Sequence, residues 1–305
     1  MEGPFAFIGL GSMGSGLARN LRQKIPSSSK LYIYDTNRAV CDKFVADFNE
    51  CGPIEIVESP KEAAMHAKVV VSSLPSVEAV RAVYLSETDG CILAAPNANR
   101  LILETSTIEA SVARELSVSL EAKGAGCYVD TPISGGPQAA ATGTLSFMIG
   151  RQKPDESDTL GQTLRQVLET MGDSEKLFWC GKTGAGLTAK ISNNYIAISV
   201  FLAVTEATAI GVRSGIDPDV LHDIIHNSSG QTFMGDILRR VPRAALQSNH
   251  VFPKDIMVKD ITLGVQAGNE TNVNPRMALA AQAIWTEAAK NPETLYLDGF
   301  QDVKK

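Results

Sequence analysis

Phe5 to Ile8 is a short apolar run, Gly9, Gly11 and Gly14 follow it in G-x-G-x-x-G spacing, and a helical pattern opens directly behind them. Such a run suits a strand buried on both faces of a parallel sheet. The spacing has a chemical reason. One glycine makes the tight turn, one lets backbone N–H groups approach a pyrophosphate, and one lets the helix pack closely on the strand. The N-terminus of the helix then faces the phosphate charge. Alone the motif is weak, but set between a strand and a helix it is a strong signal. Gly9, Leu10, Gly11, Ser12, Met13 and Gly14 are therefore candidate dinucleotide-contact residues.

The next apolar run, Leu31 to Tyr34, ends on Asp35. An acidic residue about twenty positions beyond the glycines is placed to grip a ribose 2′-hydroxyl and to repel a 2′-phosphate. Arg38 stands three residues later and could accommodate that phosphate, so the reading is NAD, with NADP not excluded. Asp35 could instead cap the following helix, with Asn37 as competitor. Further strands are expected at Ile54–Val57, Val69–Ser73, Leu101–Glu104, Cys127–Val129 and Leu145–Ile149, with helices through Met65, over Val77–Tyr84, Glu109–Lys123 and Asp155–Met171. This alternation predicts an α/β doubly wound sheet, ending near Phe178-Trp179. Leu74-Pro75 and Thr105-Ser106-Thr107 fall at strand ends, where ligands sit in such sheets. Thr107 could equally cap the helix behind it. Asp130 to Gly136 (DTPISGG) offers Ser134, Gly135 and Gly136 as a hydroxyl beside exposed amides, a small anion nest, or else an ordinary turn.

Beyond Trp179 strand signals vanish. Gly181 to Glu206 is a glycine-rich opening followed by a nearly continuous apolar run, which predicts a long, largely buried helix. Its first turns carry Lys190 and Asn194, four apart and hence on one face. Such groups are costly to bury unless something polar meets them. They either reach the surface or work on a ligand. Pro218–His226, Gly235–Leu246, Lys254–Ala267 and Pro275–Lys290 are also patterned as helices. The organisation expected is a dinucleotide-binding domain over residues 1–182 and an all-α domain over 183–305 that includes the long helix. Lys259 and Asp260 stand in one of these helices, a candidate cleft-facing pair.

The 305 residues carry a net charge of -6, with 44% hydrophobic and 20% charged residues. That balance argues against nucleic acid or an anionic membrane surface, either of which needs a concentrated basic face. No apolar stretch looks long enough to span a bilayer, and no presequence pattern is visible, so a cytoplasmic or mitochondrial-matrix location is expected. The five cysteines have no metal or redox spacing and are read as reduced. His222 and His226 are four apart but lack the glutamate of a metalloprotease motif, so no metal is expected. Gly181-Lys182-Thr183 resembles the tail of a phosphate-binding loop, but Lys176 stands where that loop requires glycine.

Six motifs occur in order: GLGSMGSGLARNL, Leu74-Pro75, ETSTI at Glu104–Ile108, DTPISGG, GAGLTAKISNN at Gly184–Asn194, and MVKD at Met257–Asp260. The chain thereby resembles the β-hydroxyacid dehydrogenase family over nearly its whole length. The resemblance implies a Rossmann domain joined by a long helix to an all-α domain, as in 6-phosphogluconate dehydrogenase. It implies NAD-dependent oxidation of a small 3-hydroxy acid such as 3-hydroxyisobutyrate, with NADPH-dependent reduction of a small semialdehyde or a catalytically silent, dehydrogenase-like binding module as alternatives. It puts Lys190 in the catalytic position. Ser134, Gly135, Gly136 and Asn194 fall on the substrate, and Leu74, Pro75, Thr107, Lys259 and Asp260 on the cofactor side. Apart from the resemblance, the apolar faces of an otherwise small helical domain predict a homodimer or homotetramer. Three stretches depart from the family's pattern: the longer loop Ile25–Lys30, Val241–Phe252, with Arg239, Arg240 and Arg243 close by, and Tyr296–Lys305.

Overall fold

The computed structural model describes residues 3–241, 253–291 and 295–296. Most of Val241–Phe252, Arg243 included, and most of the C-terminal stretch lie outside the described residues. The chain divides into two compact units, Met1–Lys190 and Ile191–Lys305.

In the first unit, β1 (Phe5–Ile8), β2 (Leu31–Tyr34), β3 (Ile54–Ile56), β4 (Val69–Ser72), β5 (Leu101–Glu104) and β6 (Cys127–Asp130) form one sheet in the order β3-β2-β1-β4-β5-β6. All pairings are parallel. Period-two alternation sends Phe5, Phe7, Ile33, Val71, Leu103 and Val129 to one face and Ala6, Ile8, Val70, Ile102 and Tyr128 to the other. Both faces are covered, which is why the central strands are apolar up to their last residues. Against the first face pack α1 (Gly14–Lys24) through Leu17 and Leu21, and α7 (Thr159–Met171) through Leu164, Val167 and Leu168. Against the second pack α3 (Pro60–His66), α4 (Val77–Leu85) and α5 (Ala110–Ala122), with Ala63, Val80, Tyr84 and Leu116 inward. The strand order reverses between β1 and β4, the switch point at which open α/β sheets bind ligands.

The sequence pattern assigned everything up to Trp179 to one sheet, and the structure corrects this. β7 (Ile133–Ser134), β8 (Leu145–Ile149) and β9 (Gly172–Trp179) make a second sheet of three, β7-β8-β9. β7 runs antiparallel to β8, and Pro132 accepts a hydrogen bond from Met148 N at 3.0 Å. Proline cannot donate to a continuing ladder, so the chain leaves the main sheet there. A short helix unforeseen in the sequence, α6 (Gly136–Thr142), follows β7. The helix α2 (Arg38–Phe48) is capped by Asn37, whose side chain accepts from Ala39 N, so Asp35 is not its cap. Nor does Thr107 cap α5, whose cap position is Glu109.

The helix α8 spans Ala185–Arg213. By length and composition it could cross a bilayer, with a mean hydropathy of 1.8 over an 18-residue window, contrary to the expectation from sequence. The reason lies in packing. In the second unit Ile198, Phe201, Leu202 and Val204 build a core with Leu238, Ile261, Ala281 and Trp285. The Phe201 and Trp285 rings lie 5.0 Å apart. These partners come from α10 (Phe233–Arg240) and the helices Lys254–Glu270 and Arg276–Lys290, and α9 (Pro218–His226) completes the set described.

Candidate active site

The carboxyl ends of the parallel strands stand side by side: Ile8 pairs with both Tyr34 and Ser72, Ser72 with Glu104, and Glu104 with Asp130. The loops that follow these residues therefore open along one edge. Gly9 takes a φ of +90°, and a Cβ there would collide with Ser73 O. A Cβ at Gly14 would collide with Gly9 O, because α1 starts hard against the turn. Gly11 differs, since a Cβ there meets nothing within 4 Å. The turn thus spends two glycines on its own geometry and leaves open space over the third, where a pyrophosphate would lie against bare backbone. Ser12 is exposed and Met13 half-buried at the head of α1.

Asp35 accepts from Leu10 N at 2.7 Å and from Asn37 N at 2.8 Å. The predicted ribose carboxylate therefore stands against the glycine turn itself. Arg38, the residue that could favour a 2′-phosphate, is engaged by Asp42 at 3.3 Å and Glu58 at 3.0 Å. Both pairs are exposed, so they bias its direction rather than lock it.

The Leu74-Pro75 loop is held from beneath by a network that sequence reasoning missed. Leu74 N donates to Ser106 Oγ at 2.7 Å, and Ser106 N donates to Glu104 Oε1 at 2.7 Å. Ser72 Oγ donates to Glu104 Oε2, and the Tyr84 hydroxyl bonds Ser72 Oγ. Glu104 is wholly buried, and burial pushes its carboxyl above the ordinary range against the pull of these hydrogen bonds. Thr107 is half-buried beyond this network. One signal could have found it: the apolar strands LILE and CYVD each end on a carboxylate, which a buried position tolerates only with partners.

Ser134 is half-buried on β7, and Gly135 and Gly136 take φ of +140° and +74°. A Cβ at Gly136 would meet nothing within 4 Å. A Cβ at Gly135 would instead collide with the Ala139 Cβ, so the open space lies over Gly136, whose bare backbone suits a carboxylate. Lys190 is 9% exposed, near the start of α8.

In the second unit Asn194 Nδ2 donates to Asp260 Oδ2 at 2.8 Å, and Lys259 Nζ lies 3.3 Å from Asp260 Oδ1. Asp260 is buried. The structure so brings together three of the residues singled out in the sequence. Asn194 Oδ1 accepts from Asn193 Nδ2 at 3.4 Å, and the bond to Asp260 uses one of the two Asn194 amide hydrogens, so the second can serve as a donor.

Residues 4–181 match the family described as the NAD binding domain of 6-phosphogluconate dehydrogenase. Residues 184–296 match the one described as NAD-binding of NADP-dependent 3-hydroxyisobutyrate dehydrogenase. The mitochondrial 3-hydroxyisobutyrate dehydrogenase of Mus musculus is 32% identical over 288 residues, 92% of this chain and 81% of that protein. The NAD-dependent L-serine dehydrogenase of Pseudomonas aeruginosa is 31% identical over 92% of this chain and 90% of its own. The solved structure of Mycobacterium tuberculosis 3-hydroxyisobutyrate dehydrogenase with L-serine superposes with a TM-score of 0.81 at 30% identity, covering 97% of this chain and 96% of that one.

Proposed function

The chain belongs to the β-hydroxyacid dehydrogenase family, and from that premise we propose that it oxidises a small 3-hydroxy acid with NAD, 3-hydroxyisobutyrate being the first candidate. It is an NAD(P)-dependent oxidoreductase with a Rossmann domain. The observation that carries the finer reading is the Gly9–Gly14 turn with Asp35 set against it, while Arg38 is turned toward Asp42 and Glu58.

The bound dinucleotide supplies the acceptor for the hydride from substrate carbon 3. What falls to the chain is the proton and the orientation. In the proposed reaction the carboxylate of the substrate is held by Ser134 with the amides of Gly135 and Gly136. The remaining Asn194 amide hydrogen donates to the 3-hydroxyl oxygen, which leaves the hydroxyl proton to Lys190. The Lys190 amine, unprotonated, takes the hydroxyl proton and becomes an ammonium, and it gives the proton back in the reductive direction. Leu74, Pro75 and Thr107 shape the nicotinamide end, and Asp260, paired with Lys259, holds the Asn194 amide.

A second substrate has its own support, since one relative acts on L-serine and a solved homologue is described with L-serine. L-Serine is itself a 3-hydroxy acid, with an amine at carbon 2. Initial rates with 3-hydroxyisobutyrate, 3-hydroxypropionate, glycerate, L-serine, threonine and 4-hydroxybutyrate, each with NAD and NADP, separate these readings. The expected result is the highest kcat/KM with 3-hydroxyisobutyrate and NAD. A preference for NADP with a semialdehyde in the reductive direction overturns it. Lys190→Ala is expected to lower kcat on the order of 100- to 10,000-fold with cofactor Kd unchanged; native turnover removes Lys190 from the mechanism.

The second unit exposes Ile196, Ile210, Val220, Ile224, Met277 and Leu279. We propose that such apolar surface is covered in a homodimer or homotetramer. Sedimentation at micromolar concentration reads this directly, and a monomer refutes it.

A further inference from the structure

The buried carboxylate of Asp130 has no place in the reaction just described, yet it meets the helix that carries Lys190. We infer that Asp130 is a positioning residue: it fixes the first turn of α8, and through that turn the point at which the Lys190 amine meets the substrate. The inference rests on the reading of Lys190 as acid and base.

The first amides of any helix lack intrahelical acceptors. In α8 the usual local cap is missing, because Gly184 and Ala185 have no side chain that could serve. The acceptor arrives instead from the end of β6. Gly184 N donates to Asp130 Oδ1 at 2.8 Å, and Leu187 N donates to Asp130 Oδ2 at 3.0 Å. Both carboxylate oxygens are thereby used, on a side chain with no exposure. A negative charge at this end also opposes the positive pole of a long helix.

The surroundings are cut to admit that carboxylate. A Cβ at Gly150 would collide with Asp130 Oδ1, and a Cβ at Gly186 would lie 2.9 Å from Oδ2 and collide with Met148 O. Gly150 N also donates to Asp130 O at 2.8 Å, which ties β6 to the end of β8 beside the same point. Leu187 and Lys190 are three apart, so the amide held by Asp130 belongs to the helical turn directly before Lys190. A small displacement of this anchor is carried by a rigid helix to the reacting amine, and misplacement by about 1 Å costs on the order of 100-fold in rate.

A carboxylate that only stabilised the fold would lower the melting temperature and leave kcat per folded enzyme unchanged. The double-mutant cycle of Asp130→Asn with Lys190→Ala, read in kcat, KM and cofactor Kd on the full chain, tells the two apart. Asn at 130 keeps one acceptor and turns an amide donor toward a backbone N–H. Asp130→Asn is expected to lower kcat roughly 10- to 100-fold with cofactor Kd unchanged, and to lower the residual rate of Lys190→Ala no further. If Asp130→Asn does not fold, Asp130→Ser, which retains a short acceptor, takes its place in the cycle. Native kcat in the position-130 variant overturns the proposal while leaving the reading of Lys190 intact. So does a loss of equal size in both backgrounds, because Asp130 then acts without Lys190. Native turnover in Lys190→Ala alone overturns the acid–base reading, and the positioning role with it.

Discussion

Two glycine-rich turns open helices in this chain, and they end differently. At Gly9–Gly14 an internal carboxylate, Asp35, takes one amide, that of Leu10, and the space above Gly11 stays open. At Gly181–Gly186 an internal carboxylate, Asp130, takes the amides of Gly184 and Leu187, and there is no open space at Gly186. The local grammar is the same, with small residues giving bare backbone and a helix giving a positive pole. The first turn keeps its pole for a ligand, while the second fills it from within the protein. A glycine-rich turn before a helix therefore says that an anion will be met, but not whose anion it is.

The sharpest way to break this comparison is to add one methyl group to each turn. Gly11→Ala is expected to weaken dinucleotide binding tenfold or more, about 1.4 kcal/mol or above, with an unchanged melting temperature, since the added carbon meets nothing in the protein alone. Gly186→Ala is expected to do the reverse. Overpacking of this kind costs about 1–3 kcal/mol and should appear as a lower melting temperature, with dinucleotide affinity retained by the folded fraction. Calorimetry and fluorescence titration of both variants decide the matter. If both lose only affinity, or both lose only stability, the two turns are not different devices.

A smaller effect sharpens the picture of the buried carboxylates beneath the turns. Burial raises the carboxyl of Glu104, with hydrogen bonds from Ser106 and Ser72 opposing it. A folded-state pKa above the unfolded one means that the folded protein holds the proton more tightly. The stability contributed is fully present below the pKa of the unfolded carboxyl and is lost as pH rises through the folded value. The stability difference between wild type and Glu104→Gln should accordingly shift in favour of wild type as the solution is acidified below neutrality. Denaturant melts of both proteins at neutral and mildly acidic pH test this, and a difference that is flat with pH refutes it.

Much of this was legible in the sequence, for identifiable reasons. Strands buried on both faces must be apolar, so Phe5–Ile8, Leu31–Tyr34 and Leu101–Glu104 stood out with the bounds that the structure gives them. A glycine turn must precede a helix that receives phosphate, so Gly9, Gly11 and Gly14 were visible, as was Asp35. Lys190, Asn194 and the Lys259-Asp260 pair were conspicuous as polar groups within apolar helices. Less was legible where partners lie far apart in the chain. The second sheet was read into the first because strand patterning carries no pairing partner. No apolar stretch looked long enough to cross a bilayer, yet α8 is so by length and composition, because its later turns are apolar on nearly every side.

What the sequence determined by itself is the set of local necessities: alternation, a phosphate-ready turn, a long apolar helix with a lysine at its root. These follow from spacing along the chain, which short-range sterics and hydrogen bonding convert directly into form. What only the tertiary structure decided is which charge meets which backbone. Asp130 caps a helix through Gly184, 54 residues further along the chain, and Glu104 steadies Leu74 through Ser106. Those unions depend on the strand order β4-β5-β6, which places the three strand ends side by side. A buried carboxylate is costly until such neighbours arrive, and only folding supplies them.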